Sequence, residues 1–456
     1  MDYSAANPTM WNFIIQMGFI ACAVLCANAL RRKIPLIRKS LMPVAVLAGF
    51  ILLVLKCIGL INLDNNTMEM LVYHSIALGF IAMSLRTVAP DQDAASKSVG
   101  FKSGAIIVAT YLVQATTGLL LTIGLAYTIK PDMFKAAGLL LPMGYGQGPG
   151  QANNIGTSYE ALGFAGGRSF GLAIAAAGYL CACTVGVIIL NRWAKKGLLR
   201  EEGEGMVDET QADGYFQAKG EIPVSDSIDR FSVQAVLVLL VYLATYLVTW
   251  GITSGLAAIS TGLANTLNSL LWGFNFIIGS VLAMLTRVLL DKGRKLGIVT
   301  RQYQNNYLLN RISGFFFDIM IVAGIASINP EDISGLWVPF VLMAVLGGVV
   351  TWLYLRVVCE KVYEGYYREG LISMYGMLTG TIGSGVLLLR EIDPELKTPA
   401  ANNLVTGSSY GIVLGAPLLV FVSLAAKSTA LCLITLGLVV IYLAVLTTIL
   451  MKKKKA

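Results

Sequence analysis

The amino-acid sequence predicts an all-α polytopic membrane protein made of two inverted-topology repeats, with two oppositely oriented re-entrant hairpins or broken helices. Three observations support this prediction. First, 56% of the 456 residues are hydrophobic and 13% are charged, and the mean hydropathy is +0.71. A soluble fold of this length could not bury so much apolar surface, so the bilayer is the expected solvent. Second, apolar runs recur along the chain, and third, a polar, glycine-rich segment interrupts each half.

The apolar runs predict about eleven membrane-spanning helices, each of roughly 20 residues. In the first half they lie at about 11–30, 41–60, 69–86, 103–128 and 169–191. In the second half they lie at about 231–252, 263–289, 306–327, 335–357, 404–426 and 429–450. Residues 137–165 and 370–400 are too rich in glycine and polar residues to be plain spans. We therefore predict them as hairpins or broken helices.

The order of these elements predicts the domain organisation. The helices that begin near 41, 69, 103 and 169 correspond in order to those that begin near 263, 306, 335 and 404. The segments are an N-terminal helix and cytoplasmic loop (1–40), a first inverted repeat with its hairpin (41–192, hairpin 137–165), a polar cytoplasmic linker (193–230), an extra helix (231–262), a second inverted repeat (263–426, hairpin 370–400), and a C-terminal helix with a basic tail (427–456).

Basic residues in the short loops predict the orientation of the chain. The basic run at 31–33 puts the first loop inside, and the clusters at 287–295 and 452–455 then also fall inside. The inside and outside assignments of these loops are consistent only if each hairpin returns to the side from which it enters. The first hairpin then enters from outside and the second from inside. The net charge of +8 is thus explained by orientation in an inner (plasma) membrane, and no nucleic-acid partner is expected.

A similar polar phrase in each half predicts an ion site. Ala152-Asn153-Asn154 and Ala401-Asn402-Asn403 bring amide oxygens into apolar surroundings, where a broken helix also frees backbone carbonyl groups. Na⁺ prefers such oxygen ligands. The expected Na⁺-binding residues are Asn153, Asn154, Thr379, Thr381, Ser384, Asn402, Asn403 and Asp318. For a single Ser or Thr, hydrogen bonding between packed helices is the alternative, and Asp318 could instead carry a proton or pair with Arg311.

The glycine-rich runs predict where a substrate would approach the backbone. Glycines such as Gly146 and Gly148 expose backbone without Cβ obstruction, and the guanidinium fork of Arg390 matches a carboxylate. The expected substrate-binding residues are Gly146, Gln147, Gly148, Thr157, Ser158, Tyr375 and Arg390. Pairing of Arg390 with Glu391 or Asp393 is the alternative interpretation, and His74 is interpreted as a buried structural histidine.

The sequence lacks the residue patterns of an enzyme. His74 is the single histidine, which leaves no Ser/His/Asp set and no His-Glu-x-x-His motif, and the seven cysteines lie in or beside apolar segments. We therefore expect a non-enzymatic secondary active transporter without a cofactor, driven by an ion gradient or by the solute gradient itself. A proton-coupled carrier that uses Asp318, a passive channel and a membrane sensor that transports nothing remain alternatives.

At these residues the chain resembles the sodium/glutamate symporter family. The likeness spans most of the chain and is strongest in the run Gly144–Gly150, with Glu160 and Gly163 after it, and in the phrase 375–381. Tyr145 and Gln147 stand where the family's first loop reads Gly-Gly-His-Gly, and Thr381-Ile382-Gly383-Ser384 replaces its Thr-Pro-Thr phrase. The resemblance implies Na⁺-driven uptake of L-glutamate or a related small amino acid or carboxylate, a homodimer, and elevator-type movement of a transport domain.

Overall fold

The computed structural model describes residues 4, 7–35, 37, 42–87, 94–196, 230–259, 271–273, 275–298, 301–393 and 398–452. These residues form helices, and no β-strand occurs among them. The α-helices are α1 (Pro8–Lys33), α2 (Val44–Cys57), α3 (Asn65–Ser84), α4 (Ala94–Tyr127), α5 (Pro149–Glu160), α6 (Gly167–Lys195), α7 (Arg230–Ile259), α8 (Asn275–Lys295), α9 (Asn306–Ala326), α10 (Trp337–Val362), α11 (Tyr367–Thr379), α12 (Ile382–Arg390), α13 (Ala400–Ala425) and α14 (Thr429–Met451). The linker expected at 193–230 lies almost entirely outside the described residues.

The length and composition of the helices identify a multi-pass membrane protein. Within the described residues, nine helices are long and apolar enough to span a membrane: α1, α3, α4, α6, α7, α9, α10, α13 and α14. Two of the expected spans are not among them. The run at 41–60 forms α2, which has only 14 residues. The run at 263–289 begins outside the described residues, and its described helix, α8, ends in a basic turn.

The chain folds into two compact units. The first contains the described residues of 1–72, 92–200 and 321–456, and the second those of 73–91 and 201–320. Both glycine-rich segments therefore belong to the first unit, although the sequence assigns them to different halves. The second unit has its own apolar core, in which Leu78 and Ile81 of α3 pack with Val241 of α7, Ala283 of α8 and Ile312 of α9.

The first glycine-rich segment is a broken helix. A 3-10 helix (Lys135–Leu139) and a π-helix (Pro142–Gly146) form its first arm, and α5 forms its second arm. The helical path is interrupted at Gln147 and Gly148, between the two arms. Pro149 follows as the first residue of α5, where its missing N–H group is tolerated.

The two arms of this first segment run along the same stretch of α6 in opposite directions. A Cβ atom built on Gly171 of α6 would contact Leu140 of the first arm and Ala152 of the second. One built on Gly178, two turns further along α6, would contact Tyr145, just before the break. The break therefore lies near the middle of α6, and both arms lead back towards its first turns.

The second glycine-rich segment is also a broken helix, formed by α11 and α12 with a break at Gly380 and Thr381. Its outer ends lie close together. The side-chain amide of Asn403, just after the segment, donates a hydrogen bond of 2.8 Å to the hydroxyl of Tyr366, just before it. Ile372 and Leu389 of the two arms pack against Ile189, in the last turns of α6. The two broken helices thus start from opposite ends of α6.

The order of the elements agrees with the order expected for the two halves: helices, a broken segment, and a further helix. The two halves differ in one respect. The two Ala-Asn-Asn phrases do not hold corresponding positions, because Asn153 lies in α5, the second arm of the first broken helix, whereas Asn402 lies in α13, a separate helix after the second break. The inverted orientation of the repeats in a bilayer stays a prediction.

Candidate functional site

The two helix breaks meet inside the first unit. A Cβ atom built on Gly148, at the first break, would lie 3.7 Å from Cγ2 of Thr381 and 3.8 Å from the backbone oxygen of Gly380, at the second break. Gly148 has a φ of +86°, a conformation that favours glycine. We call this place, formed by residues 146–149 and 379–382, the crossing.

The crossing brings together helix ends of opposite polarity. α5 begins after Gly148 and α12 begins after Thr381, and neither residue caps its helix with a side-chain hydrogen bond. α11 ends at Thr379, so its last carbonyl groups face the same region. Uncapped helix N-termini attract anions and helix C-termini attract cations. The crossing therefore offers partial charges of both signs.

Gln114 of α4 connects the crossing to the long helices, and the sequence analysis missed it. Its Nε2 atom donates hydrogen bonds of 2.8 Å to Oγ1 of Thr351, in α10, and of 2.9 Å to the backbone oxygen of Leu378. Its Oε1 atom lies 3.0 Å from the place of a Cβ atom on Gly146. A polar residue in the middle of a long apolar helix was the available signal.

Aromatic side chains hold the breaks in place. Tyr179 of α6 is fully buried, and its ring lies 3.1 Å from the place of a Cβ atom on Gly380. The hydroxyl of Tyr145 donates a hydrogen bond of 2.5 Å to the backbone oxygen of Ala344. Tyr375, an expected substrate-binding residue, is completely buried, with its hydroxyl 3.1 Å from the sulfur of Cys181 in α6. Tyr375 therefore packs the second broken helix against α6.

Several buried polar atoms around the broken helices have no hydrogen-bond partner among the described residues. They are Oε1 of Gln114, both side-chain amide atoms of Gln151, Oδ1 of Asn153 and Oγ of Ser384. Each of these residues is at most 4% exposed. Most buried polar groups in proteins are hydrogen-bonded, so a concentration of unpaired atoms is typical of a place that binds water, an ion or a polar ligand.

Some expected site residues lie at or beside the breaks. Gln147, Gly148 and Thr381 belong to the breaks themselves, Gly146 is the last residue of the π-helix before the first break, and Ser384 lies in the first turn of α12. Thr379 is fully buried, and its hydroxyl donates a hydrogen bond of 2.8 Å to the backbone oxygen of Tyr375. Asn153 and Asn154 are buried about one turn into α5.

Other expected site residues lie at the far ends of the same arms. Thr157 is exposed, and the hydroxyl of Ser158 donates a hydrogen bond of 2.9 Å to the backbone oxygen of Asn154. Both residues are about 12 Å along α5 from its first residue, since each helical residue adds about 1.5 Å. Arg390 is exposed in the last position of α12. These three side chains therefore lie away from the crossing, and their binding of substrate stays a prediction.

The second asparagine pair also lies away from the crossing. Asn402 is exposed at the start of α13, and the buried amide of Asn403 is bound to Tyr366. Asn403 therefore connects the start of α13 to the residue before α11, which is a packing role. The similarity of the two phrases in sequence does not extend to their surroundings.

Two ionisable residues of the second compact unit, Asp318 and His74, have exposed side chains. Asp318, an expected Na⁺ ligand, is exposed on α9 and belongs to a different unit from the crossing. His74 was expected to be buried, but it is exposed, and its Nδ1 atom lies 2.6 Å from the hydroxyl of Tyr242. Among the described residues, no group of three or more His, Cys, Asp or Glu side chains is placed to hold a metal ion.

A second polar region of the first unit has its charged groups paired. We call it the paired polar cluster: Lys56, Asn65, Glu69, Arg168, Ser169, Asn329 and Asp332. Nη1 of Arg168 lies 2.8 Å from Oε1 of Glu69 in an ion pair. Nζ of Lys56 donates to Oδ1 of Asn329 at 2.6 Å and to the backbone oxygen of Ile328 at 3.3 Å, just beyond the end of α9.

The comparisons with known proteins identify no family for this chain. No family model matches the chain, and no curated protein matches it.

Proposed function

We propose that this protein is a secondary active transporter that couples the symport of L-glutamate, or of a related small amino acid or carboxylate, to Na⁺. One observation carries the proposal: two helix breaks from different halves of the chain meet inside one compact unit, beside buried polar atoms that have no partner among the described residues. Discontinuous helices of this kind form the substrate and ion sites of many secondary transporters.

The polarity of the helix ends supports a substrate with a carboxylate group. The N-termini of α5 and α12 both begin at the crossing without a side-chain cap, and their first N–H groups favour an anion. The amide of Gln151, in the first turn of α5, is a further donor without a partner in the described chain. A carboxylate would accept hydrogen bonds from these groups, which they would otherwise have to form with water.

The carbonyl groups and side-chain oxygens of the crossing support a coupling cation. The end of α11 presents backbone oxygens, and Oγ of Ser384 lies 2.8 Å from the place of a Cβ atom on Gly380. Unwound backbone and helix C-termini coordinate Na⁺ in this class of transporter. A cation and an anion bound together would also reduce the cost of burying either charge.

The arrangement of the two broken helices around α6 supports alternating access. They start from opposite ends of α6, and their breaks lie near Gly178 and Tyr179 in its middle part. α6 has 29 residues, so its length of about 43 Å is enough to cross a bilayer. A site halfway along α6 would be about equally far from both surfaces. Elevator-type movement and a homodimer are the further expectations from the resemblance.

The test is uptake of labelled L-glutamate into proteoliposomes that contain the purified protein. We expect uptake with an inward Na⁺ gradient and little uptake when choline replaces Na⁺. A competition panel of amino acids and dicarboxylates identifies the preferred substrate. Concentrative uptake that ignores Na⁺ would contradict the coupling, and binding without flux would indicate a sensor.

Two asparagine variants test the position of the site. Asn153→Ala removes a buried amide whose oxygen has no partner in the described chain, one turn from the first break, and it is expected to abolish uptake. Asn402→Ala changes an exposed residue of the similar phrase and is expected to retain uptake, so it is the control. Equal effects of the two changes would argue against a site at the crossing.

The proton-coupled alternative depends on Asp318. It predicts uptake driven by a pH gradient without Na⁺, and loss of that uptake in Asp318→Asn. Flux that never exceeds the equilibrium distribution of the solute would instead indicate a channel.

A further inference from the structure

The orientation of the Gln114 amide is determined by its partners. The backbone oxygen of Leu378 is only an acceptor, so the atom that contacts it at 2.9 Å must be the nitrogen. The same nitrogen donates its other hydrogen to Thr351 at 2.8 Å. Exchanging Oε1 and Nε2 would bring two acceptor oxygens into contact, so Oε1 must point away from Leu378.

The Oε1 atom of Gln114 is a buried acceptor beside the first break. Gln114 is 0% exposed, and Oε1 has no hydrogen-bond partner among the described residues. The place of a Cβ atom on Gly146 lies 3.0 Å from Oε1 and 2.3 Å from the ring of Tyr111, so an aromatic ring and bare backbone both lie beside this oxygen. Leaving a buried carbonyl group unpaired costs free energy. A bound group that satisfies it would recover this cost.

The surroundings of Oε1 favour a positively charged group. The Gln114 amide is bound to the carbonyl of Leu378, one residue before the C-terminal end of α11, where the helix dipole is negative. We propose that Gln114 Oε1 binds a cation at the crossing, either Na⁺ or the ammonium group of a zwitterionic substrate. This inference rests on the proposed function, because it assigns the cation-binding oxygen within the same site.

Cation-dependent thermal stability of the purified protein in detergent tests this role. Na⁺ is titrated against choline at constant ionic strength, for the wild type and for Gln114→Met, without substrate. Methionine has nearly the same size and shape but lacks both the amide oxygen and the nitrogen that is bound to Thr351 and Leu378. We expect the Na⁺ concentration for half-maximal stabilisation to rise at least about tenfold in the variant, which corresponds to ~1.4 kcal/mol.

Two further variants separate cation binding from folding. Thr110→Val removes a buried hydroxyl one turn away on α4, whose hydrogen bond goes to its own helix at Ile106, and it should respond to Na⁺ like the wild type. Gln114→Asn keeps the amide but withdraws it by one methylene group. If Gln114→Met does not fold, Gln114→Asn provides the same test and should weaken the response.

Comparing ligands shows whether the bound positive charge is Na⁺ or the ammonium group of the substrate. Stabilisation by Na⁺ alone assigns the coupling ion, whereas stabilisation by L-glutamate but not by glutarate, which lacks the ammonium group, assigns the substrate. If Gln114→Met fully retains the stabilisation that Na⁺ and L-glutamate give the wild type, the inference is overturned and the proposed function still stands. A wild type that responds to neither ligand also overturns it. If Gln114→Met loses the ligand-dependent stabilisation but the wild type shows no uptake in proteoliposomes, only the proposed function is contradicted.

Discussion

The crossing and the paired polar cluster are two polar regions of the same compact unit, and they differ in how their polar groups are satisfied. In the paired polar cluster, Lys56 and Arg168 each contact oxygen partners of the chain itself. Around the crossing, Gln114, Gln151 and Ser384 keep buried atoms without partners in the described part of the chain. The first arrangement contributes to the fold. The second arrangement leaves buried hydrogen-bonding atoms that a ligand could contact.

This difference predicts opposite consequences of mutation. Removing one partner of a satisfied pair leaves the other partner unsatisfied, so stability falls. Removing an unpaired buried atom relieves a cost, so stability is kept while ligand binding is lost.

Gly166→Ala should destabilise the protein most. Gly166 has a φ of +74°, and a Cβ atom there would overlap the backbone oxygen of Asp332 in the paired polar cluster. We expect a loss of about 3 kcal/mol, from the left-handed backbone and from overpacking together. Thermal unfolding in detergent measures it. Gly163→Ala is the control, because Gly163 also has a positive φ but nothing within 4 Å, and it should lose only about 1 kcal/mol.

Arg168→Gln should destabilise the protein by on the order of 2 kcal/mol, because it leaves the partly buried carboxylate of Glu69 unpaired. Uptake per folded molecule should stay the same. The control is Lys130→Gln, which breaks an exposed pair with Asp132 and should change the free energy of unfolding by less than about 0.5 kcal/mol. If Arg168→Gln instead lost substrate affinity and kept normal stability, the paired polar cluster would be a binding region and not a stabilising one.

Ser384→Ala should leave the free energy of unfolding within about 0.5 kcal/mol of the wild type, because the hydroxyl has no partner to lose among the described residues. Uptake should fall about tenfold, which corresponds to ~1.4 kcal/mol of binding. Ser373→Ala is the matched control in the same broken helix, since the Ser373 hydroxyl is bound to the backbone oxygen of Gly370 at 3.1 Å. That variant should keep its uptake.

The smallest expected effect concerns Asp64, before α3. A hydrogen bond from Thr67 lowers the pKa of its carboxyl group below the ordinary value, with a further contribution from Asn12. A depressed pKa stabilises the fold above the unfolded-state pKa, and this contribution is lost as the pH falls through the folded-state value. The stability difference between wild type and Asp64→Asn should therefore shrink below about pH 4. A constant difference down to about pH 3 would exclude this role.

Part of the candidate site could be predicted from the sequence because glycine and polar runs within apolar segments are local features. Gly148 and Gly380 were recognisable in this way. Gln114 and Thr351 were not, because their importance comes from contacts between residues 237 positions apart. Asn402 illustrates the same limit, because its neighbours along the chain resemble those of Asn153 but its neighbours in space do not.

Composition and apolar periodicity by themselves determined the membrane class, the positions of most helices and the two interruptions, since these depend on hydrophobic length and on backbone conformational preference. Only the tertiary structure decided that the interruptions meet beside α6, and which polar atoms stay unpaired there. The physical reason is that pairing depends on the packing of distant helices, and similar sequence phrases can be packed against different partners.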